Sequence, residues 1–148
     1  MLYYRRKILL ALLELFDGEL TAKSLQKFLF LFTRSQETAS FDFIPYKYGC
    51  FSFQANQDLA TMKKYGYVEI AEHANGRYIQ LKKKDDFLGM LDMFDLASLN
   101  KIKDTFGNLP QQDLIRYTYT KYPYYAIRST IAKQLLTDEE LAIVAKHN

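Results

Sequence analysis

Nucleophilic catalysis and zinc binding both draw on cysteine and histidine, and this chain holds one cysteine, Cys50, and two histidines, His73 and His147. His73 stands beside a turn and His147 at the C-terminus. Neither stands at the spacing from Cys50 that marks a Cys-His nucleophile or a metal site. An isolated cysteine reads as a small core residue. The six glycines are scattered, with no phosphate-cradling loop among them. The neighbouring acids Glu139 and Glu140 belong to a solvated helix face. The sequence therefore predicts no catalytic residue, no metal and no cofactor, and a chain that is not an enzyme.

Contact with a polyanion is the chemistry that the residue types favour. Gln54, Gln57 and Thr61 fall on one side of a predicted helix, with Lys63 and Lys64 at its far end. A helix that enters a major groove needs amides to meet base edges and cations to meet phosphates. Arg77 and the run Lys82, Lys83 and Lys84 add cations on and after a predicted hairpin. Read as a DNA-binding face, this set gives Gln54 and Gln57 the bases and the lysines and arginine the phosphates. A solvated, unengaged surface is the competing reading. A second cluster, Tyr117, Tyr119, Tyr122, Tyr124 and Tyr125, is interleaved with Arg116, Lys121 and Arg128. It suits core packing, a protein-partner surface or base stacking.

The elements that position these residues follow from apolar spacing. Ile8, Leu9, Leu12, Leu13 and Phe16 mark one helix, stopped by Asp17 and Gly18. Thr21 caps a second, with Leu25, Phe28, Leu29 and Phe32 on one face, running to about Arg34. Residues 40–43 read as a short extended piece, and 46–50 as a turn. Ser52 caps a third helix over about 53–65, with Phe53, Leu59, Met62 and Tyr65 expected inside. Two β-favouring runs, 67–70 and 78–81, flank Asn75 and Gly76 and predict a hairpin. Helix, helix, short strand, helix, hairpin is the order of a winged helix.

Beyond Lys82–Asp86 the character changes. Phe87, Met90, Leu91 and Phe94 keep helical spacing, as do Leu96, Leu99, Ile102 and Phe106. Gly107 and Pro110 separate these from a helix over about 111–119, and Thr137 with Glu140 matches a capping box before a last helix. The expected fold is mainly α (α+β): a winged-helix-like domain with a hairpin wing at 1–84, and a helical extension at 85–148 packed on it.

Composition sets the frame. The chain has 148 residues, 49% of them apolar and 25% charged, enough for an ordered core and too few uninterrupted apolar residues for a membrane span. No secretory signal follows residues 8–16, where Asp17, Gly18 and Glu19 break the run, so a cytoplasmic protein without a membrane partner is expected. The net charge of +3 is unevenly spread: residues 1–84 hold 13 basic against 8 acidic residues, and residues 85–148 hold 7 against 9. The basic half is the one suited to a polyanion.

Two stretches carry a resemblance. Leu25-Gln26-Lys27-Phe28-Leu29-Phe30 resembles the leucine-glutamine-lysine-leucine-leucine-tyrosine helix of Panacea domains, antitoxin modules related to the SocA antitoxin. Pro45-Tyr46-Lys47-Tyr48-Gly49-Cys50-Phe51 resembles the aromatic-glycine turn that follows in that family, although Cys50 stands where a proline or small residue is usual. The resemblance covers about residues 20–70. The whole chain is similar to the N-terminal region of uncharacterised bacterial proteins with a downstream domain of unknown function, on the stretch Lys121-Tyr122-Pro123-Tyr124-Tyr125-Ala126-Ile127. This likeness implies a fragment of a longer protein. Together they imply a regulatory or partner-binding module without a catalytic residue, in toxin neutralisation or transcriptional control. The partner is then double-stranded DNA, a co-encoded protein, or a downstream domain of the same chain.

Overall fold

Six consecutive residues of the first helix, Ile8 to Leu13, have no exposed surface. A helix that is apolar all round cannot lie on a surface, so α1 (Tyr4–Leu15) runs through the middle of the fold and the later elements wrap it. The computed structural model describes residues 2–148. It is a mainly helical α+β fold, with seven α-helices among the described residues and two small antiparallel sheets.

Asp17 (φ 61°) and Gly18 (φ 92°) turn the chain out of α1 through the left-handed region. A strand too short to announce itself, β1 (Glu19–Thr21), follows. Thr21 ends it and caps α2 (Ala22–Ser35), its hydroxyl accepting from the Ser24 N–H at 3.1 Å. Residues 40–43, expected to be extended, are irregular; the strands come after them and take in most of the expected 46–50 turn, β2 (Ile44–Tyr46) pairing with β3 (Gly49–Phe51) around Lys47 and Tyr48. Ser52 caps α3 (Phe53–Lys64), as its sequence position predicts, accepting from the Ala55 N–H at 3.1 Å.

β4 (Val68–His73) and β5 (Gly76–Leu81) form the expected second hairpin. Its turn lies at Ala74 and Asn75, and Gly76 (φ 123°) supplies the positive φ that closes it. β1 adds to the other side of β5, giving the sheet order β1-β5-β4, with Leu20 opposite Ile79.

The helical run expected from Phe87 is broken. A single 3₁₀ turn, Leu88–Met90, is followed by Asp92, whose carboxylate accepts from the Asp95 N–H at 2.8 Å and starts α4 (Met93–Phe106) afresh. Phe94 consequently points to solvent. α5 (Gln111–Lys121), a 3₁₀ turn at Pro123–Ala126, α6 (Ala132–Leu135) and α7 (Asp138–Ala145) complete the chain. The Thr137–Glu140 capping box forms at α7. One apolar cluster joins Leu9 and Phe32 to Phe87, Leu99 and Leu114, so residues on both sides of Lys82–Asp86 share a core.

Polar side chains fix α3 within this core. Asp58 has no exposed surface, yet its carboxyl group faces two arginines. Arg5 Nε donates to its Oδ2 at 2.6 Å and Nη2 to Oδ1 at 3.2 Å, while Arg6 Nε donates to Oδ1 at 2.9 Å. A buried carboxylate is tolerated when charged donors replace its water. From α2, Gln26 makes a two-way pair with the Ser52 backbone, donating to its C=O at 3.2 Å and accepting from its N–H at 2.9 Å. Lys27 donates to the Cys50 carbonyl at 3.1 Å. The start of α3 is held by α2 and its middle by α1.

Asp58→Asn keeps the shape but removes the charge that three N–H groups address. It should lower the unfolding free energy by about 1.5–3 kcal/mol, read from denaturant titration. Arg5→Ala should cost less, because Arg5 is 42% exposed and Arg6 stays in place. A loss below about 0.5 kcal/mol for Asp58→Asn would mean that apolar contacts alone seat the helix.

Candidate nucleic-acid interface

The inward face of α3 is Ala55, Asp58, Leu59 and Met62, the i, i+3, i+4, i+7 set of one helical stripe. Phe53 and Tyr65, expected inside, lie outside it, 53% and 69% exposed. The one charged member of the buried stripe is Asp58, met by arginines more than 50 residues away in sequence.

The opposite face carries the residues predicted for DNA. Gln54, Gln57, Lys63 and Lys64 are exposed and Thr61 is half-buried. Gln54 is already engaged: its Oε1 accepts from the Asp42 N–H at 2.7 Å and its Nε2 reaches the Asp42 carboxylate at 3.4 Å. Gln57 has no side-chain hydrogen bond among the described residues, so its amide is available at no cost in protein contacts.

The fold divides the predicted cations into two places. Tyr67 links the end of α3 to the foot of the second hairpin: its N–H donates to the Met62 carbonyl, and its own carbonyl accepts from Lys82 and Lys83 N–H at 2.9 and 3.2 Å. Lys82, Lys83 and Lys84 therefore gather at the end of α3 that carries Lys63 and Lys64. Arg77 is at the other end of the hairpin, one residue pair from the turn, bonded to Glu72 at 2.9 Å. Lys82 pairs with Glu69 at 3.1 Å, and the Lys83 ammonium lies 4.6 Å from the centre of the Tyr67 ring. These ion pairs are solvent-exposed and worth about 0–1 kcal/mol each, so a phosphate can displace them.

The tyrosines predicted as a partner surface occupy three kinds of place. Tyr119 is core: it has no exposed surface, and its hydroxyl donates to Ser129 Oγ at 2.6 Å. Burial pushes that phenol up to about 12. Its ring presses on Gly49 so closely that a Cβ there would sit 2.5 Å from Tyr119 Cε1. Tyr117 stacks on Phe106 at 4.7 Å. Tyr122 and Tyr125 meet Phe30 edge-on, under the Arg34 guanidinium, which donates to the Tyr125 hydroxyl at 2.7 Å. Tyr124, at 47% exposed, is the outward member.

A different aromatic group is exposed beside α3. Tyr46, Phe51 and Phe53 pack ring to ring at 4.8–5.5 Å, with Ile44 and Tyr48 also open to solvent. The density of aromatics from Phe41 to Phe53 is the sequence signal for this patch. Cys50, across the strand, is 1% exposed, and burial pushes its thiol up. His73 lies on the exposed hairpin against Tyr78. Among the described residues no three metal-ligating side chains come together, and no helix is long and apolar enough to cross a membrane.

The core tyrosine and the outward one should separate sharply. Tyr119→Ala empties a core position and should cost about 3–5 kcal/mol, whereas Tyr124→Ala should stay within about 0.5 kcal/mol of the parent. Thermal and denaturant unfolding check both. Equal losses would put Tyr124 in the core as well.

No family model matches the chain, and no curated protein matches it.

Proposed function

We propose that this protein is a non-catalytic regulatory module that binds duplex DNA as a winged helix, with α3 as the reading helix and the β4–β5 hairpin as the wing. The observation that carries this reading is the sheet order β1-β5-β4 joined to α3. A first strand between two helices and a hairpin after the third close into one small sheet, whose β4 strand packs against α3. The β2–β3 hairpin is then an insertion before the reading helix. Gln57 and, once released from Asp42, Gln54 meet base edges. Lys63, Lys64 and Lys82 to Lys84 hold phosphates on one flank, and Arg77 reaches the backbone from near the wing tip. The raised pKa of the buried Cys50 thiol is the reverse of what a nucleophile needs, which supports a role without catalysis.

The two stretches on which the likeness to Panacea domains rests are in contact: Lys27 of the first bonds Cys50 near the end of the second, and Gln26 bonds Ser52 just beyond it. A second reading, a protein-binding module of the antitoxin or adaptor type, is favoured by the exposed Tyr46–Phe51–Phe53 group. Aromatic side chains held rigid at a surface are common anchors of protein interfaces.

Titration with duplex DNA across salt concentrations decides between them. Under the DNA reading, affinity falls steeply with salt, and Lys83→Ala flattens the slope by about one while weakening all sequences alike. Gln57→Ala then removes about 1–3 kcal/mol of discrimination at particular base pairs. Absence of binding at low salt overturns that reading. Under the protein reading, association with a co-encoded protein is insensitive to salt and is lost in Phe53→Ser.

A further inference from the structure

A cavity of about 530 Å³ lies between the N-terminal half of α2, the β2–β3 hairpin and the β4–β5 hairpin. This is within the range of roughly 300–1,000 Å³ typical of small-molecule sites. Leu25, Leu59, Ile70 and Ile79 make much of its wall apolar. Charged side chains at its border, Lys23, Lys47, Glu72 and Arg77, are all at least partly open to water. Lys27 is the exception, lining the cavity at 2% exposure.

Lys27 is incompletely matched where it stands. An ammonium carries three N–H donors. One of them meets the Cys50 carbonyl at 3.1 Å. No carboxylate pairs with it among the described residues, whose ion pairs all involve other side chains. Burial pushes its amine down, an effect that the neighbouring Cys50 side chain offsets only in part and to which Lys23 adds. The cost of that arrangement is recovered if an anion enters from the cavity side.

We propose that this cavity binds a small organic anion, a carboxylate on an apolar body, with the carboxylate at Lys27 Nζ and the body between Leu59, Ile70 and Ile79. One buried amine, held protonated by the entering carboxylate, matches one negative charge. A more highly charged molecule would bring its further charges to Glu72 or to the apolar wall, and a neutral molecule of the same shape would leave the spare Lys27 donors unmet. A cation would be repelled. The site does not depend on the DNA reading and stands or falls apart from it.

Benzoate, benzyl alcohol and benzylamine share one ring and differ in charge, and each can be titrated into the full chain by NMR. Benzoate should give saturable shifts at the Ile70 and Ile79 methyls and ring-to-methyl NOEs, and bind at least tenfold more tightly than benzyl alcohol. Benzylamine should not bind. Lys27→Met should abolish the preference for benzoate. Lys27→Gln, which keeps one donor for the Cys50 carbonyl, should do the same and guards against loss of fold in the first variant. Equal binding of benzoate and benzyl alcohol, NOEs only to residues outside the cavity wall, no saturable shift, or a preference that survives in either folded variant overturns the proposal. The series on the unaltered protein decides it even if neither variant folds.

Discussion

A carboxylate without exposed surface sits in the middle of α3, and the orientation of that helix depends on it. Arg5 and Arg6, on successive positions of α1, deliver three N–H groups to the two oxygens of Asp58 in place of water. Taking a carboxylate from water costs several kcal/mol that only such partners offset. Turning α3 by one residue, about 100°, would take Asp58 from its donors and bring a neighbour in its place. The same restraint therefore keeps Gln57, Lys63 and Lys64 outward, without any apolar residue on that face having to point them there.

A second restraint acts at the start of the helix, from the other neighbour. Gln26 completes both backbone hydrogen bonds of Ser52, itself fully buried, and Ser52 caps α3 through its hydroxyl. Lys27, the next residue on α2, holds the Cys50 carbonyl two residues earlier on the same segment. Consecutive residues on a helix point about 100° apart, so this pair grips β3 from two directions. Gly49 completes the grip. With φ at 98° and Tyr119 where a Cβ would be, it lets α5 close on the hairpin from the far side. The hairpin and the first turn of α3 are thus one rigid unit bound to α2 and α5.

What could be read in the sequence was what local rules govern. The helices α1 to α3, the caps Thr21, Ser52 and Thr137, and the β4–β5 hairpin all rest on residues close together in the chain, and all were legible. β1 and the β2–β3 hairpin have three residues to a strand, too few for alternation to register, and form because β5 and a neighbouring strand supply their partners. The run from Phe87 to Phe94 kept helical spacing by coincidence, since periodicity does not weigh an Asp92 cap that restarts the helix. Phe53 went to the surface because helix geometry sets it about 180° from Met62, and Tyr65 because the helix ends before it; that Asp58 joins the core is what α3 itself does not announce, since its donors are on α1. Likewise nothing near Tyr119 distinguishes it from Tyr124. The cavity against Gly49 that takes its ring is assembled from a segment 70 residues away. In the candidate site, the exposed amides and lysines were legible as types, whereas the engagement of Gln54 by Asp42 and the separation of Arg77 from the lysine run needed the tertiary structure.

The surfaces proposed for DNA and for a protein partner meet at the first turn of α3. Phe53 and Gln54 are successive residues there. The ring of Phe53 leans on Tyr46 and Phe51, while the amide of Gln54 bonds the backbone of Asp42 just ahead of β2. A partner seated on the aromatic group would stand over the same turn whose neighbouring residues face a groove, and a duplex lying along α3 would press against Phe53. Two bodies of that size cannot share one helical turn, about 5.4 Å long. Because Ser52 is buried and pinned by Gln26, the turn also cannot swing aside to admit both. If both surfaces are used, occupation of one excludes the other by volume alone, with no change of conformation required.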